Sequence, residues 1–527
     1  MIKPSRPLLL LTYVAVLLAV ALTILPAEYR INRDIALKSF TLKSLFEKKE
    51  ANYADITAIT SKFADNLPDS VFTPAKHTRA IAPADSNAVG DSLPAGQAGI
   101  LEKAETPAIL DKQYRISFPA NDSTVLNRFF GALQNLPASG QLIRVLHYGD
   151  SQIEGDRISA YLRHKLQRRF GGCGVGLVPL VDKLSNRPAL VQHADPEWLK
   201  LYAYSNGYQK KHADSYGIMG GVYKYSFLAR VAAQDSIRQP TDTLADTVRK
   251  PAYTRKGWQN ASVSYSAAAS GYASDRKAEF VRILYRNREA PFQLAIEANQ
   301  DSAYRTKMDT GSQARLYQYR LPEGFRKLKL TFGSSRSPEL FGVALDCGKG
   351  VAVDNLSFRG SSGVDFTKLS RPLLRQQMQA LNVRLIIVQF GVNVVPYIHE
   401  DYKFYEDQFC RQLQLLRQSA PEAAVLVVGV SDMSRRESDA YVSYPNVEKI
   451  RDAQQNAAFR AGCAFWDLYR AMGGHNSMPS WVAATPALAG KDYTHFTPRG
   501  AMLVGEMLYN SLMHAYQHQM HPPGGVQ

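Results

Sequence analysis

The stretch VLHYGDSQIEGD (Val145–Asp156) sets a serine at the mouth of an apolar run, between Gly149-Asp150 and a segment of helical texture. A serine hydroxyl is a poor nucleophile and attacks an acyl carbon only when an imidazole takes its proton. That imidazole in turn needs a carboxylate to fix its tautomer and stabilise the imidazolium. Far downstream, DYTHFTPRG places Asp492 three residues before His495, just ahead of a last helical segment. Two further stretches, RGSSG (Arg359–Gly363) and GVN (Gly391–Asn393), each follow an apolar run. Taken singly, every one of these has a plain alternative. Ser151 would cap a helix, Asp150, Gly360 and Asn393 would make turns, and Asp492 with His495 would be a surface pair.

The elements that must position these residues can be read from periodicity. LIRVLHY, GVAVDNLSF, VRLIIVQFG, AAVLVVGVS and CAFWDLY are short runs apolar on both faces and read as strands. SAYLRHKLQRRF, FTKLSRPLLRQQMQAL, YEDQFCRQLQLLRQS, NVEKIRDAQQNAAFRAG and PRGAMLVGEMLYNSLMHAY alternate with them as helices. Such alternation predicts a parallel sheet covered by helices, with functional groups at the carboxyl ends of its strands. Another helix is expected at NDSTVLNRFFGALQNL, capped by Asp122 or Ser123. Beyond Leu190 the texture changes to period-two runs such as ASVSYSAAAS, EFVRILYR, FQLAIEA, RLYQYRL and RKLKLTF. They predict an antiparallel β-sandwich inserted into the α/β domain. GGCGVG (Gly171–Gly176) follows a helix rather than a strand, so it reads as a turn in the cleft wall and not as a dinucleotide loop. Glu154 and Asp156 read as charges favouring a helix N-terminus, and His147 as a packed residue at the strand edge. His399 and His475 fall in loops.

The N-terminus bounds where the chain works. Leu8–Leu25 is an uncharged apolar run preceded by Lys3 and Arg6, long enough to span a hydrocarbon core as a helix. Basic residues on its N-side keep that end in the cytoplasm. The exit LTILPAEYR lacks a convincing small-x-small cleavage site, so an uncleaved signal anchor is expected over its rival, a cleaved signal peptide; either way the bulk of the chain is expected to be extracytoplasmic or periplasmic, on the inner membrane if anchored. A helix is expected between about Asp34 and Ala54, and the Ala-, Pro-, Ser- and Gly-rich text from Lys76 to Ala108 reads as a tether. The expected organisation is 1–34 tip and anchor, 35–115 juxtamembrane segment and linker, 116–190 first part of the α/β domain, 191–349 inserted β-rich domain, 350–520 second part, and 521–527 tail.

The net charge is +16, and between Val181 and Gly350 there are 26 Lys and Arg against 16 Asp and Glu. That surplus suits an anionic partner or a solvated basic face. No nucleic-acid-binding signature accompanies it, so nucleic acid is not expected as a partner. Cys173, Cys347, Cys410 and Cys463 form no Cys-x-x-Cys pair, which argues against a zinc or redox site; one disulfide is open, but its pairing is not assignable.

Together GDSQIEGD, RGSSG, GVN and DYTH, in that order, resemble the four blocks of the SGNH (GDSL-type) hydrolases. The resemblance covers Leu142 to about Leu180 and Gly350 to about Tyr516. It implies a flavodoxin-like three-layer α/β/α fold, and Ser151, His495 and Asp492 as a catalytic triad. It further implies an oxyanion hole from the Ser151 and Gly360 backbone N–H groups and the Asn393 side-chain amide. No Gly-x-Ser-x-Gly elbow surrounds Ser151, which separates the pattern from the α/β-hydrolases. The inserted module, and FGVALDCGKGVAVDNLSFRG where it rejoins the sheet, are similar to the peptidoglycan and carbohydrate O-acetylesterase branch. Tyrosines with Trp198 and Trp258 in the module would suit sugar stacking. The implied activity is removal of O-acetyl groups from an envelope polysaccharide, peptidoglycan favoured, with no metal or organic cofactor. The alternatives are an O-acetyltransferase using the same residues with a membrane acyl-donor protein, and a glycan-binding protein without catalysis.

Overall fold

The computed structural model describes residues 51–64, 67–68, 110–120, 122–182, 187–230, 253–255, 257–299, 301–322 and 324–520, with 12–14, 16–17, 20, 28–30 and 36–38 near the N-terminus. Five strands, β1 (Leu142–Gly149), β2 (Gly350–Ser357), β3 (Val383–Gln389), β4 (Ala424–Val428) and β5 (Ala464–Trp466), form one sheet in the order β2-β1-β3-β4-β5. Every pairing is parallel, and this is the flavodoxin-like order with its switch point between β1 and β3. The strands are apolar on both faces because both are covered. Ile143, Val145, Ile387 and Leu426 point to one layer; Leu146, Tyr148, Ile386 and Val427 point to the other.

The first layer contains α1 (Thr57–Phe63), α2 (Asn127–Gln134) and α3 (Ser159–Phe170). The second contains α4 (Arg371–Ala380), α5 (Lys403–Ser419) and α6 (Val447–Arg460), while α7 (Pro498–Met520) returns to the first. Between β1 and β2 the chain builds two antiparallel sheets. One runs Tyr304–Met308, Phe292–Ala298, Lys327–Ser334, Gln259–Ala267, Leu190–Ala194; the other Gly311–Arg320, Phe280–Asn287, Glu339–Asp346, Gly221–Tyr225, Trp198–Tyr202. Their inner faces share one core that includes Val263, Leu294, Leu330, Val281, Val343 and Trp198. The second sheet turns its outer face, through Leu284, Phe341 and Ala344, to the layer holding α4.

Several sequence expectations need correction. Gly176–Val178, expected before the insertion, pairs with Glu339–Asp346 and so belongs to its sheet. GGCGVG does not wall the cleft: a Cβ on Gly172 would run into the Val351 backbone, at the start of β2 and opposite to its carboxyl end. Cys173 within it is disulfide-bonded to Cys347, with Cα atoms 5.2 Å apart. Asp156 is buried in an ion pair rather than serving a helix N-terminus. Asp122 accepts from the Thr124 N–H and hydroxyl in a local turn, and α2 starts only at Asn127. Part of the expected linker packs into the core instead, because Ile59 and Phe63 are spaced to share one face of α1.

The Asp34–Ala54 helix is not seen where the residues are described. Ala36–Lys38 instead pairs antiparallel with Glu28–Arg30. That hairpin lies in a separate compact unit, residues 1–52 with 435–442. Of Leu8–Leu25, residues 12–14, 16–17 and 20 are described, and they are helical. Among the described residues no helix is long and apolar enough to cross a membrane. The Lys76–Ala108 stretch and the 521–527 tail lie outside the described residues.

Buried charge ties the insertion to the parallel sheet. Arg163 of α3 grips both Asp156 oxygens at 2.7 and 2.8 Å, donates to the Val353 carbonyl at 2.8 Å, and reaches Asp275 of the insertion at 3.5 Å. Arg144 of β1 pairs with Asp354 at 2.7 Å and with Asp346. Removing one partner of such a cluster leaves the others charged and buried, which costs far more than the intact pair contributes. Arg163→Met is expected to lower unfolding stability by about 3–5 kcal/mol in urea titration, and adding Asp156→Asn with Asp275→Asn to recover part of that loss.

Candidate active site

The carboxyl ends of β1, β2 and β3 finish level, with Gly149 opposite both Ser357 and Gln389. A Cβ on Gly149 would lie 2.8 Å from the Gln389 carbonyl and 2.9 Å from Ile153, so only glycine lets the strands close at this level. Beyond it the loops are stitched together. The Asp150 N–H donates to the Gln389 carbonyl at 3.3 Å, the Phe358 N–H to the Gly149 carbonyl at 2.7 Å, and the Ser357 hydroxyl to the Asp150 carbonyl at 3.0 Å.

On this rim the Ser151 hydroxyl stands 2.8 Å from His495 Nε2, across 344 positions of chain. His495 Nδ1 lies 2.7 Å from Asp492 Oδ2, while the His495 and Thr494 N–H groups donate to Asp492 Oδ1 at 3.0 and 3.1 Å. The carboxylate thereby orients ring and loop at once, and its contact with Nδ1 leaves Nε2 to accept from a hydroxyl. Partial burial pushes the Asp492 carboxyl up, but hydrogen bonds from the His495 ring and the two amides outweigh it and hold it below its usual range. Gly360 sits three residues past β2 with φ +78°, a backbone that favours glycine. Among the described residues neither its N–H nor that of Ser151 donates to a protein acceptor. Asn393 gives one amide hydrogen to the Ser361 carbonyl at 2.9 Å, which leaves the other for a ligand. A hydroxyl backed by an imidazole and a carboxylate, beside three uncommitted N–H donors, is equipped for acyl transfer.

Residues 324–503 match the model of the GDSL-like Lipase/Acylhydrolase family, a stretch that holds Gly360, Asn393, Asp492 and His495 and begins after Ser151. Over those residues the chain is similar to the GDSL-like hydrolases. The geometry of the site fits the acyl hydrolysis that this family description names. A solved structure described as a peptidoglycan O-acetylesterase in action is similar over 77% of this chain and 99% of its own, with a TM-score of 0.57 and 20% identity. At that identity the likeness speaks for the fold. A family two carbohydrate esterase from Clostridium thermocellum in complex with cellohexaose matches 50% of this chain and 93% of its own (TM-score 0.21, 7% identity). One from Cellvibrio japonicus matches 62% and 98% (TM-score 0.20, 8% identity). Among curated proteins none matches the chain.

Sequence reasoning missed three supports of the site. Gln152, buried, donates to the Thr494 carbonyl at 2.7 Å and the Ser431 hydroxyl at 3.1 Å, which binds the serine turn to the histidine loop. Arg157 donates to the Ser151 and Glu154 carbonyls at 2.5 and 2.9 Å. Polar residues in a turn give no sequence signal that they face inward. The third is Asp150, read as a turn residue. It is buried and accepts from the Gln152 N–H at 3.0 Å with one oxygen and the Gly391 N–H at 3.1 Å with the other. His147 is buried in the sheet between Gln389 and Ser159, and burial lowers its imidazole to about 4. Trp198 belongs to the sandwich core, whereas Trp258 is exposed.

Burial raises the Asp150 carboxyl from 3.8 to about 6, despite opposing amides of Gln152, Gly391 and Val392 and the nearby His495. A carboxyl raised on folding binds its proton more tightly in the folded state. Its stabilising contribution is full below the unfolded value and is lost as pH rises through the folded one. Wild type is therefore expected to lose about 2–3 kcal/mol relative to Asp150→Asn between pH 4 and pH 7, read from urea midpoints measured side by side. The same variant replaces an acceptor of the Gly391 N–H, and turnover is expected to fall by roughly 10–100-fold at every pH.

Proposed function

We propose that this chain is a GDSL-like hydrolase, a membrane-anchored, extracytoplasmic carbohydrate O-acetylesterase that deacetylates a cell-envelope polysaccharide, with peptidoglycan foremost. The observation that carries the reading is the Ser151 hydroxyl at 2.8 Å from His495 Nε2, backed by Asp492 at 2.7 Å from Nδ1. The apolar Leu8–Leu25 run supports the anchor and the export, and the inserted sandwich supports a glycan substrate.

In this reading Ser151 Oγ attacks the acetyl carbonyl carbon while its proton passes to His495 Nε2. The carbonyl oxygen becomes an oxyanion and receives the N–H groups of Ser151 and Gly360 and the free amide hydrogen of Asn393. Asp492 holds the imidazolium that forms. Collapse breaks the ester bond, and His495 returns the proton to the departing sugar oxygen, leaving acetyl-Ser151. His495 then takes a proton from water, the hydroxide attacks the acyl carbon, and acetate leaves as Ser151 regains its proton.

Acetate release from purified, acetylated envelope polysaccharide is the test. Ser151→Ala is expected to lower it at least about 10³-fold, and Asn393→Ala by on the order of 10²–10³. Acetyl appearing on an added sugar acceptor in place of free acetate would replace esterase by transferase. Release unchanged by Ser151→Ala would end the serine mechanism.

A further inference from the structure

Two arginines stand beside the nucleophile and neither has a role in the chemistry just described. Arg359 comes immediately before Gly360, and its side chain is 59% exposed. Its backbone is pinned, since its carbonyl accepts from the Ser205 hydroxyl at 3.0 Å. Among the described residues its one ion pair is with Glu154, at 3.4 Å. Arg157 rises from the serine turn itself. Its guanidinium is spent on two backbone carbonyls and makes no ion pair among the described residues. Both cations meet at Glu154: Arg157 at its carbonyl and Arg359 at its carboxylate.

The acids around them are otherwise engaged. Asp492 is held by the His495 ring, and Asp150 lies buried beneath, on backbone amides. Glu154 alone answers Arg359, through a single contact at the surface. Such pairs are worth little because water screens them and both long side chains must be held still. A ligand carboxylate that reaches the guanidinium can displace Glu154 and bind in the two-pronged geometry a guanidinium favours. Position makes that ligand the substrate. Consecutive Cα atoms lie about 3.8 Å apart, so Arg359 starts one residue from the N–H that would hold the ester oxygen. A substituent on the same sugar ring as the acetyl group falls within its reach.

We propose that the substrate is an acidic sugar with a carboxylate close to the acetylated hydroxyl, selected by Arg359 with Arg157 behind it. The inference rests on the esterase reading of the site and narrows its substrate. A neutral acetylated glycan would leave the Arg359 guanidinium with its Glu154 contact alone among the described residues. The carboxylate has two chemical sources, a uronic acid or a carboxylated ether such as the lactyl group of muramic acid.

The experiment measures acetate release by the full chain from two matched pairs: an O-acetylated glucuronoside with its methyl ester, and O-acetylated muramic acid with its lactyl amide. In at least one pair the free acid is expected to be the better substrate by about five- to tenfold in kcat/KM, carried by KM and shrinking as salt is added. The pair that shows it identifies the source. Arg359→Gln is expected to collapse the preference toward one, and Glu154→Gln, which frees the guanidinium, to widen it. Equal rates on acid and neutral partner in both pairs, or a preference that survives Arg359→Gln, would overturn the inference alone. Absence of Ser151-dependent release from all four compounds would overturn the esterase reading and this inference with it.

Discussion

Three parallel strands end level with one another, and everything at the site depends on their loops being held there without further β-pairing. The device is a carboxylate. Asp150 sits below the rim with each oxygen on a backbone amide, one in the serine turn and one at Gly391. An Asp can do this because it has two acceptors on a short stem and no donor to misplace. The turn carrying Ser151 and the loop carrying Asn393 are thereby fixed to a common point. Gln152 extends the same frame to the histidine loop through the Thr494 carbonyl. A hydroxyl and an imidazole separated by most of the chain can meet only if each loop has its own tie to that frame.

The insertion is fixed with comparable rigor, at the other end. Cys173–Cys347, the Arg144 cluster with Asp346 and Asp354, and Arg163 between Asp156 and Asp275 all bridge it to the parallel sheet. These ties gather near the start of β2 and along α3. Towards the carboxyl ends of the strands the insertion is held as well: the Tyr148 hydroxyl donates to the Ile218 carbonyl at 2.9 Å, Ser205 donates to the Arg359 carbonyl, and the Tyr204 ring stacks on Phe358 with centroids 4.8 Å apart. The part of the insertion nearest Ser151 is thus fixed at both ends of the parallel sheet.

What the sequence displayed, and what it withheld, divides along range of interaction. The strand ends were legible because a buried parallel strand is a continuous apolar run, and its carboxyl end is where loops carry chemistry. Ser151, Gly360, Asn393, Asp492 and His495 stood out because each follows such a run or precedes a helix. The inward-facing Gln152 and the Arg163–Asp275 pair left no trace, since a polar residue in a turn or on a helix reads the same whether solvent or a distant carboxylate awaits it. Thr57–Phe63 was lost for a related reason. Its seven residues lie in a stretch whose average composition is that of a linker, and only the core it meets makes Ile59 and Phe63 a buried pair.

The His495–Asp492 pair is set close to solvent, with 32% and 54% of the two side chains exposed. In that setting the attraction between carboxylate and imidazolium is screened, and so is any hydrogen bond to an oxyanion. Asp492 compensates in part by taking two backbone amides as well as the ring, which fixes it in place when no ligand is bound. The rest has to come from whatever covers the rim. A small ester leaves water around the imidazole, whereas a polymer lying across the Ser205–Arg359 contact and the serine turn removes it and strengthens each interaction it encloses. A ligand that encloses the rim therefore strengthens these interactions more than one that does not, because it supplies the low-dielectric wall that the exposed pair lacks.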